Sequence, residues 1–169
     1  MIVYLPCGVG GAPGGIACGL KLIFGAACLC VVVEPVDAAS MTLALATAAS
    51  PDDMPSVYEV GLRNDTITDG LAVPRASGFV FAMTGGVIDG TVTVSDAQMR
   101  TAMRMAWTGA GLRLEPSAAA SIAAMHDLEA GERLAWHGRA PAIQVCWATG
   151  GALLPDKEWK ADLEDRWKM

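Results

Sequence analysis

MIVYLPCGVGGAPGGIACGLKLIFGAACLCVVVEP, residues 1–35, decides the fold. Met1–Leu5 is a short apolar run of the strand type. Cys7–Gly15 holds too much glycine for either regular element. Ile16–Phe24 has apolar residues at helical spacing. Cys28–Val33 is rich in Val and bounded by Glu34-Pro35, as a buried parallel strand is. Strand, glycine loop, helix and strand form one βαβ unit, the signature of an α/β sheet.

Downstream, the pattern predicts a helix over 37–48, a short strand over 57–60 and a turn-rich connection over 64–70. A helix over 77–83 ends at Gly85-Gly86, and a strand over 87–94 is broken at Asp89-Gly90. Ser95 with Gln98 makes a capping box that opens a helix running to about Thr108, closed by Gly109 and Gly111. A short strand over 112–114, an alanine-rich helix over 117–128, a buried strand over 142–148 and a charged terminal helix over 155–167 follow. Pro155 stands near the start of the last helix. No repeat or low-complexity linker intervenes. The expected architecture is one α/β unit over 1–169, an open, mostly parallel sheet with flanking helices. It is expected to be incomplete at its front, because Met1 stands on what should be a central strand.

The chain has 169 residues, 53% of them hydrophobic, and a net charge of −6. Its mean hydropathy is +0.38. A substantial core follows, and a nucleic-acid or anionic-membrane partner does not, since both reward clustered Lys and Arg. The apolar run over 22–33 is shorter than the roughly 20 residues a membrane span needs. No basic region precedes an apolar stretch at the N-terminus, which argues against a signal peptide. A cytoplasmic protein is expected. Cys7, Cys18, Cys28, Cys30 and Cys146 are irregularly spaced, and neither His126 nor His137 has a Cys nearby. Buried reduced thiols are expected, and no metal site.

Gly8-Val9-Gly10-Gly11-Ala12-Pro13-Gly14-Gly15 follows a strand and precedes a helix. Glycines let the backbone take positive φ and approach a ligand closely. Successive N–H groups then converge on an anion at the positive end of the helix. No Lys or Arg lies in the loop, so backbone amides must do the gripping. Walker A is excluded for want of Gly-Lys-Ser/Thr, and the dinucleotide pattern G-x-G-x-x-G fails at Pro13. A purely structural turn stays open on this ground alone.

Several segments resemble D-serine dehydratases: Pro6-Cys7-Gly8-Val9-Gly10-Gly11 with Pro13-Gly14-Gly15 and Gly19-Leu20-Lys21, then Val33-Glu34-Pro35, Asp69-Gly70-Leu71-Ala72-Val73 after Thr68, Val94-Ser95-Asp96, Leu114-Glu115-Pro116-Ser117-Ala118 and Trp147-Ala148-Thr149-Gly150-Gly151. They fall in the family's order from about Ile2 to Pro155. That family belongs to fold type II of the pyridoxal-phosphate enzymes. The resemblance implies that Gly8, Gly10, Gly11 and Ala12 hold the cofactor phosphate through their N–H groups. At the fourth position the family usually has Gly; Ala12 keeps the N–H, and a positive φ there would cost about 1 kcal/mol or more. The resemblance also implies that Thr149 faces the pyridine nitrogen, where a neutral hydroxyl makes a moderate electron sink suited to β-elimination. By its residues alone, Thr149 reads as a cap on the turn before Gly150-Gly151.

A pyridoxal-phosphate lyase needs a Schiff-base lysine. The chain holds only Lys21, Lys157, Lys160 and Lys168; Lys21 resembles a non-catalytic lysine of the family, and the others fall on a charged helix. In the family, the Schiff-base lysine lies upstream of the glycine loop. The chain therefore reads as the C-terminal part of a D-serine dehydratase whose N-terminal part is missing, with no catalytic residue of its own and no activity alone. The intact parent, expected to be monomeric, would convert D-serine to pyruvate and ammonia. A related threonine or serine dehydratase, or a non-catalytic remnant that binds a phosphorylated ligand, are the alternatives. Relatives such as serine racemase place a monovalent or other cation at positions matching Glu34, Ala38 and Ser40; a helix turn capped by Asp37 is the reading favoured here. Asp69 is read as a turn residue or an outer support of the site. His126 and His137 are read as surface residues, and the five tryptophans as core or interface.

Overall fold

The computed structural model describes residues 1–130 and 143–164. Its centre is a four-stranded sheet in the order β3-β2-β1-β4, built from β1 (Ile2–Pro6), β2 (Leu29–Pro35), β3 (Gly90–Val94) and β4 (Gln144–Cys146). All three pairings are parallel: Val3 opposes Cys30, Val33 opposes Val92, and Tyr4 opposes Cys146. The helices are α1 (Gly11–Phe24), α2 (Ser40–Thr47), α3 (Gly78–Met83), α4 (Asp96–Ala110), α5 (Pro116–Ala130) and α6 (Asp156–Glu164). The expected open parallel α/β architecture is the one found.

Strand alternation assigns the helices to faces. Val3, Leu5 and Cys30 pack with Ala17 of α1, and Val32 packs with Met41 and Ala44 of α2 and Val80 of α3. Ile2, Tyr4, Val31, Val33 and Val94 point the other way, into α4 and the alanines of α5. Small side chains on α5 let it lie close to the sheet, and Ala118, Ala119 and Ala120 are fully buried there. β1 and β2 are buried on both faces, which explains their unbroken apolar runs.

The helix caps follow local chemistry. Ser95 and Gln98 form the expected capping box, with Gln98 N–H donating to Ser95 Oγ at 3.3 Å and Ser95 N–H to Gln98 Oε1 at 2.7 Å. Gly111, at φ 65°, closes α4 in the left-handed conformation. α1 begins at Gly11, inside the stretch expected to be too glycine-rich for a helix. Gly14 explains part of that composition: a Cβ there would come within 2.8 Å of Val80 and 2.9 Å of Thr84. The glycine is where α3 crosses α1.

Three other expectations are corrected. Residues 57–60 form a 3-10 turn, not a strand, because Ser56 Oγ caps the Tyr58 amide and Gly61, at φ 84°, ends the turn. Residues 112–114 form no strand: the Leu112 amide is drawn to Ala106 O of α4, and the Glu115 amide to Gly150 O. β3 begins only at Gly90, since the Val87 amide closes a turn on Thr84 O. Expectations for His137, Lys168, Trp136, Trp167, the first residue of the strand over 142–148 and the last three of the helix over 155–167 lie outside the described residues.

No helix among the described residues is long and apolar enough to cross a membrane. All five cysteines are free. Burial pushes the Cys30 thiol up to about 12, with Cys28 beside it adding to the shift.

Lys21 binds the far end of the sheet. Its ammonium donates to Cys28 O at 2.7 Å and Asp89 Oδ1 at 2.8 Å, while Asp89 Oδ2 accepts the Cys30 amide at 2.7 Å. Both side chains are largely buried, at 16% and 18% exposure. Lys21→Met leaves Asp89 without its cation and should cost about 1–3 kcal/mol. Urea unfolding should show a lower midpoint at unchanged m-value.

Candidate functional site

In an open parallel sheet, ligands bind outside the carboxyl ends of the strands, where neighbouring strands lead away in opposite directions. Here that place is the gap between β1 and β4. β1 leads through α1 to β2 on one side, and β4 lies on the other. Residues 8–12 leave the carboxyl end of β1. Thr149 follows β4, whose ladder continues one bond further as Trp147 N–H donates to Tyr4 O at 3.1 Å. The sequence-predicted Gly8, Gly10, Gly11, Ala12 and Thr149 therefore all emerge at one edge of two adjacent strands.

The loop's conformation is enforced by its neighbours. Gly10 has φ 104°, a left-handed value glycine adopts at little cost. A Cβ on Gly10 would lie 2.5 Å from Met41 Cε and 3.1 Å from Val80 Cγ1. At Gly8 it would lie 2.6 Å from Gly70 O, so the segment carrying Asp69-Gly70-Leu71 packs directly on the loop. Gly11 has only open space around its Cβ position, and Gly11 and Ala12 are exposed. Ala12 lies in the first turn of α1 with negative φ, so the cost of a left-handed alanine is not incurred.

Hydrogen bonding defines what the loop can do. The Gly14 amide donates to Gly10 O at 2.9 Å and starts α1. Gly10 caps that helix without any side-chain bond. Among the described residues, the amides of residues 8–12 have no acceptor in the protein. Five such donors in succession at the positive end of a fourteen-residue helix suit an anion with several oxygens. The phosphoryl group of a cofactor fits this set of donors.

The far wall is held by Arg113. Its Nε donates to Gly151 O at 3.2 Å and its Nη2 to Leu154 O at 2.6 Å, and it pairs with Asp156. The guanidinium stacks 5.0 Å over Trp159, whose Nε1 donates to Leu114 O at 2.9 Å. A Cβ on Gly151 would strike Arg113 O, and one on Gly150 would lie 2.8 Å from the Glu115 carboxylate. Thr149 itself is exposed and makes no hydrogen bond with a described residue. It does not cap the turn, the role its residue type alone suggested.

Glu34 behaves differently from its expectation. Its fully buried carboxylate accepts the Met41 amide at 2.7 Å, the Thr42 amide at 2.7 Å and the Thr42 hydroxyl at 2.6 Å. It is Glu34, not Asp37, that caps α2; Asp37 pairs instead with Arg63 at 3.2 Å. Burial pushes the Glu34 carboxyl up from its ordinary value, and the Thr42 and Met41 donors pull it back. Burial, and then Glu34 beside it, raises the Cys7 thiol well above the usual range, so Cys7 stays protonated beside the loop and is no nucleophile. His126 is exposed, on α5. Among the described residues no group of three or more His, Cys, Asp or Glu is arranged to hold a metal.

Sequence reasoning missed Glu34 as a cap, because its partners lie seven and eight residues downstream. It also missed Arg113, whose partners lie about forty residues away and carry no local signal.

The pyridoxal-phosphate dependent enzyme family model matches residues 2–140. The chain is 44% identical to the probable D-serine dehydratase of Pseudomonas putida over 169 residues, covering 96% of the chain and 37% of that relative. It is 42% identical to the D-serine dehydratase of Salmonella agona, covering 94% of the chain and 37% of that relative. The chain thus spans little more than a third of these relatives' length. A fungal L-serine ammonia-lyase from Rhizomucor miehei has the same fold, with a TM-score of 0.77 at 18% identity, covering 97% of the chain and 49% of that protein.

Gly10→Ala should cost about 1–3 kcal/mol, from the left-handed φ and the clash with Met41. Gly11→Ala should stabilise α1 by roughly 0.5–1 kcal/mol, since its position is helical and open. Paired thermal denaturation of the two variants separates enforced from tolerated glycine.

Proposed function

The chain belongs to the pyridoxal-phosphate-dependent enzymes, and from that premise we propose that it is the phosphate-anchoring part of a D-serine dehydratase. The observation that carries this reading is the run of five backbone amides, residues 8–12, with no acceptor among the described residues. In this proposal Gly8, Gly10, Gly11 and Ala12 hold the cofactor phosphate, and Thr149, across the gap between β1 and β4, meets the pyridine nitrogen. The parent converts D-serine to pyruvate and ammonia in the cytoplasm as a monomer.

When bound, pyridoxal phosphate supplies the electron sink that lets an amino acid lose its Cα proton and β-hydroxyl. The chain's own residues bind and orient. Amides 8–12 neutralise a phosphoryl dianion with fixed dipoles that need no reorganisation. The Thr149 hydroxyl is neutral, and leaves the ring nitrogen free of the full proton a carboxylate partner would hold there. Two elements would hold the cofactor, the start of α1 and the Arg113-braced segment after β4.

Covalent attachment needs a lysine. Lys21 is committed to Asp89 and Cys28 at the amino end of the sheet, opposite the loop. Lys157 and Lys160 stand exposed on α6. In this proposal the covalent lysine and the proton-transfer groups lie in the part of the relatives that this chain does not match. A cation at the Glu34 turn would share a carboxylate that already takes three donors, with the buried Ser40 hydroxyl beside it left without a partner among the described residues.

Substrate choice rests on the closer resemblance. D-serine dehydratases match at 44% identity, whereas a tomato threonine deaminase matches at 25% with a TM-score of 0.69. A panel of D-serine, L-serine and L-threonine given to an intact relative bearing this segment tests it, and preference for L-threonine would reverse the assignment.

The cradle is tested by titrating the purified chain with pyridoxal phosphate and with pyridoxal. Each charge-assisted bond is worth about 1.5–3 kcal/mol, so the phosphorylated form should bind at least tenfold more tightly. Equal affinities would remove the cradle. The chain alone should form no pyruvate from D-serine.

A further inference from the structure

We propose that Asp96, at the start of α4, is a positioning residue for the phosphate loop: its carboxylate docks the segment 66–68 and so holds Gly70 behind Gly8. The inference rests on the cradle described above and adds the support behind its first amide.

Asp96 is not needed as a cap by its own helix. Ser95 and Gln98 already close the start of α4, and the Met99 amide goes to Ser95 O. The Asp96 carboxylate reaches across the fold instead. It accepts the Thr66 hydroxyl at 2.6 Å and the Ile67 amide at 3.2 Å, from residues 30 and 29 positions earlier in the chain. A carboxylate only accepts, so the Thr66 proton points to Asp96 and the Thr66 oxygen is left to accept in turn. It takes the Thr68 hydroxyl at 2.9 Å and the Thr68 amide at 3.4 Å. Thr68 is buried. One carboxylate thus orders three consecutive residues of a segment that belongs to no helix or strand.

That segment leads into the wall of the loop. Thr68 O accepts the Leu71 amide at 2.8 Å and the Ala72 amide at 3.0 Å, a turn that encloses Asp69 and Gly70. A Cβ on Gly8 would lie 2.6 Å from Gly70 O, 3.3 Å from Val73 Cγ2 and 3.5 Å from Leu71 Cα. The turn therefore stands directly against the first residue of the cradle. Its far end has a tether of its own, since Asn64 Nδ2 donates to Ala72 O at 3.2 Å. Its near end has Asp96. Beyond the turn, the Ser77 amide donates to Val9 O at 3.0 Å and ties the same stretch of chain to the next residue of the loop. Without the Asp96 carboxylate, Thr66 and Ile67 lose their acceptor, the turn at Thr68 loses its footing, and Gly70 can draw away from Gly8. The connection runs from Asp96 to Thr66 and Thr68, to Gly70, to Gly8.

Amide hydrogen exchange and pyridoxal phosphate binding on the whole chain test this, using Asp96→Ala, Thr66→Val and Thr66→Ser. Asp96→Ala keeps the Ser95–Gln98 box, so α4 retains its cap. It should speed exchange at Ile67, Leu71, Ala72 and Ser77, and should weaken pyridoxal phosphate about fivefold, as loss of a residue that acts through a packed network does. Binding of pyridoxal, which lacks the phosphoryl group, should not move. Thr66→Val removes the hydroxyl link and should weaken the phosphorylated ligand alike, whereas Thr66→Ser keeps the link and should bind as the unaltered chain does. That pair decides the matter if Asp96→Ala does not fold. Should Asp96→Ala bind the phosphorylated ligand undiminished, with Ser77 still protected, Asp96 serves only the dipole of α4 or the turn itself, and the positioning role is overturned. Should the unaltered chain not bind pyridoxal phosphate at all, the cradle reading fails, and Ser77 exchange across the three variants still decides the positioning role.

Discussion

Five consecutive main-chain amides without an acceptor among the described residues set the terms for this structure. Buried or half-buried N–H groups are nearly always paired, and a helix start that leaves its donors open is normally closed by a side chain. Here Gly10 offers no side chain, and no neighbour reaches in. Gly8 lies against Gly70 O, and Gly10 against Met41 and Val80. The neighbours hold the loop from behind and leave Val9, Gly11 and Ala12 open in front. Packing has made the backbone rigid on one face and available on the other, and that combination suits an oxygen-rich anion.

The remainder of the fold can be understood as support for that edge. The two ends of the sheet carry opposite duties. At the amino end, Lys21, Asp89 and the main chain of residues 28–30 form a closed hydrogen-bonded knot. It consumes the only lysine on the glycine-loop helix and locks α1 to β2. At the carboxyl end the polar main chain is left unspent. β4 is short, and the segment after it is not held by sheet pairing. Arg113 provides what the sheet does not, reaching Gly151, Leu154 and Asp156 and stacking on Trp159. Trp107 meets the same indole edge-on at 5.0 Å, so α4, α6 and the segment of Thr149 form one block.

The central βαβ unit was legible because its signals are local. Val-rich runs bounded by proline, a glycine cluster between them and a Ser–Gln capping box each act within a few residues. Misreadings arose where a distant partner decided the outcome. Residues 112–114 have strand composition, yet their flanking amides go to Ala106 and Gly150. Residues 57–60 alternate like a strand, but the pairing beside them stops at a single bridge between Ser56 and Arg75, and Ser56 and Gly61 fold them into a turn. The glycine run argues against a helix on propensity; tertiary packing overrides that from Gly11 onward, since α3 needs Gly14 bare. The candidate site residues were named through resemblance; the bonding of Glu34 and Arg113 could not be read in the same way, because each acts by reaching across the fold.

Charge explains why support matters so much here. The chain carries a net charge of −6, and no Lys or Arg lies in the loop. An anion approaching it gains nothing from the protein's overall field and must be held by dipoles. Dipoles act only when aligned, and their effect falls steeply with orientation, whereas a lysine can follow its ligand on a flexible stem. A cradle of main-chain amides, as proposed, would transfer the burden of affinity to whatever fixes the backbone: a left-handed glycine and the methionine and valine packed behind it. Mobility in any one of these would scatter the directions of the five amides without altering a single amide.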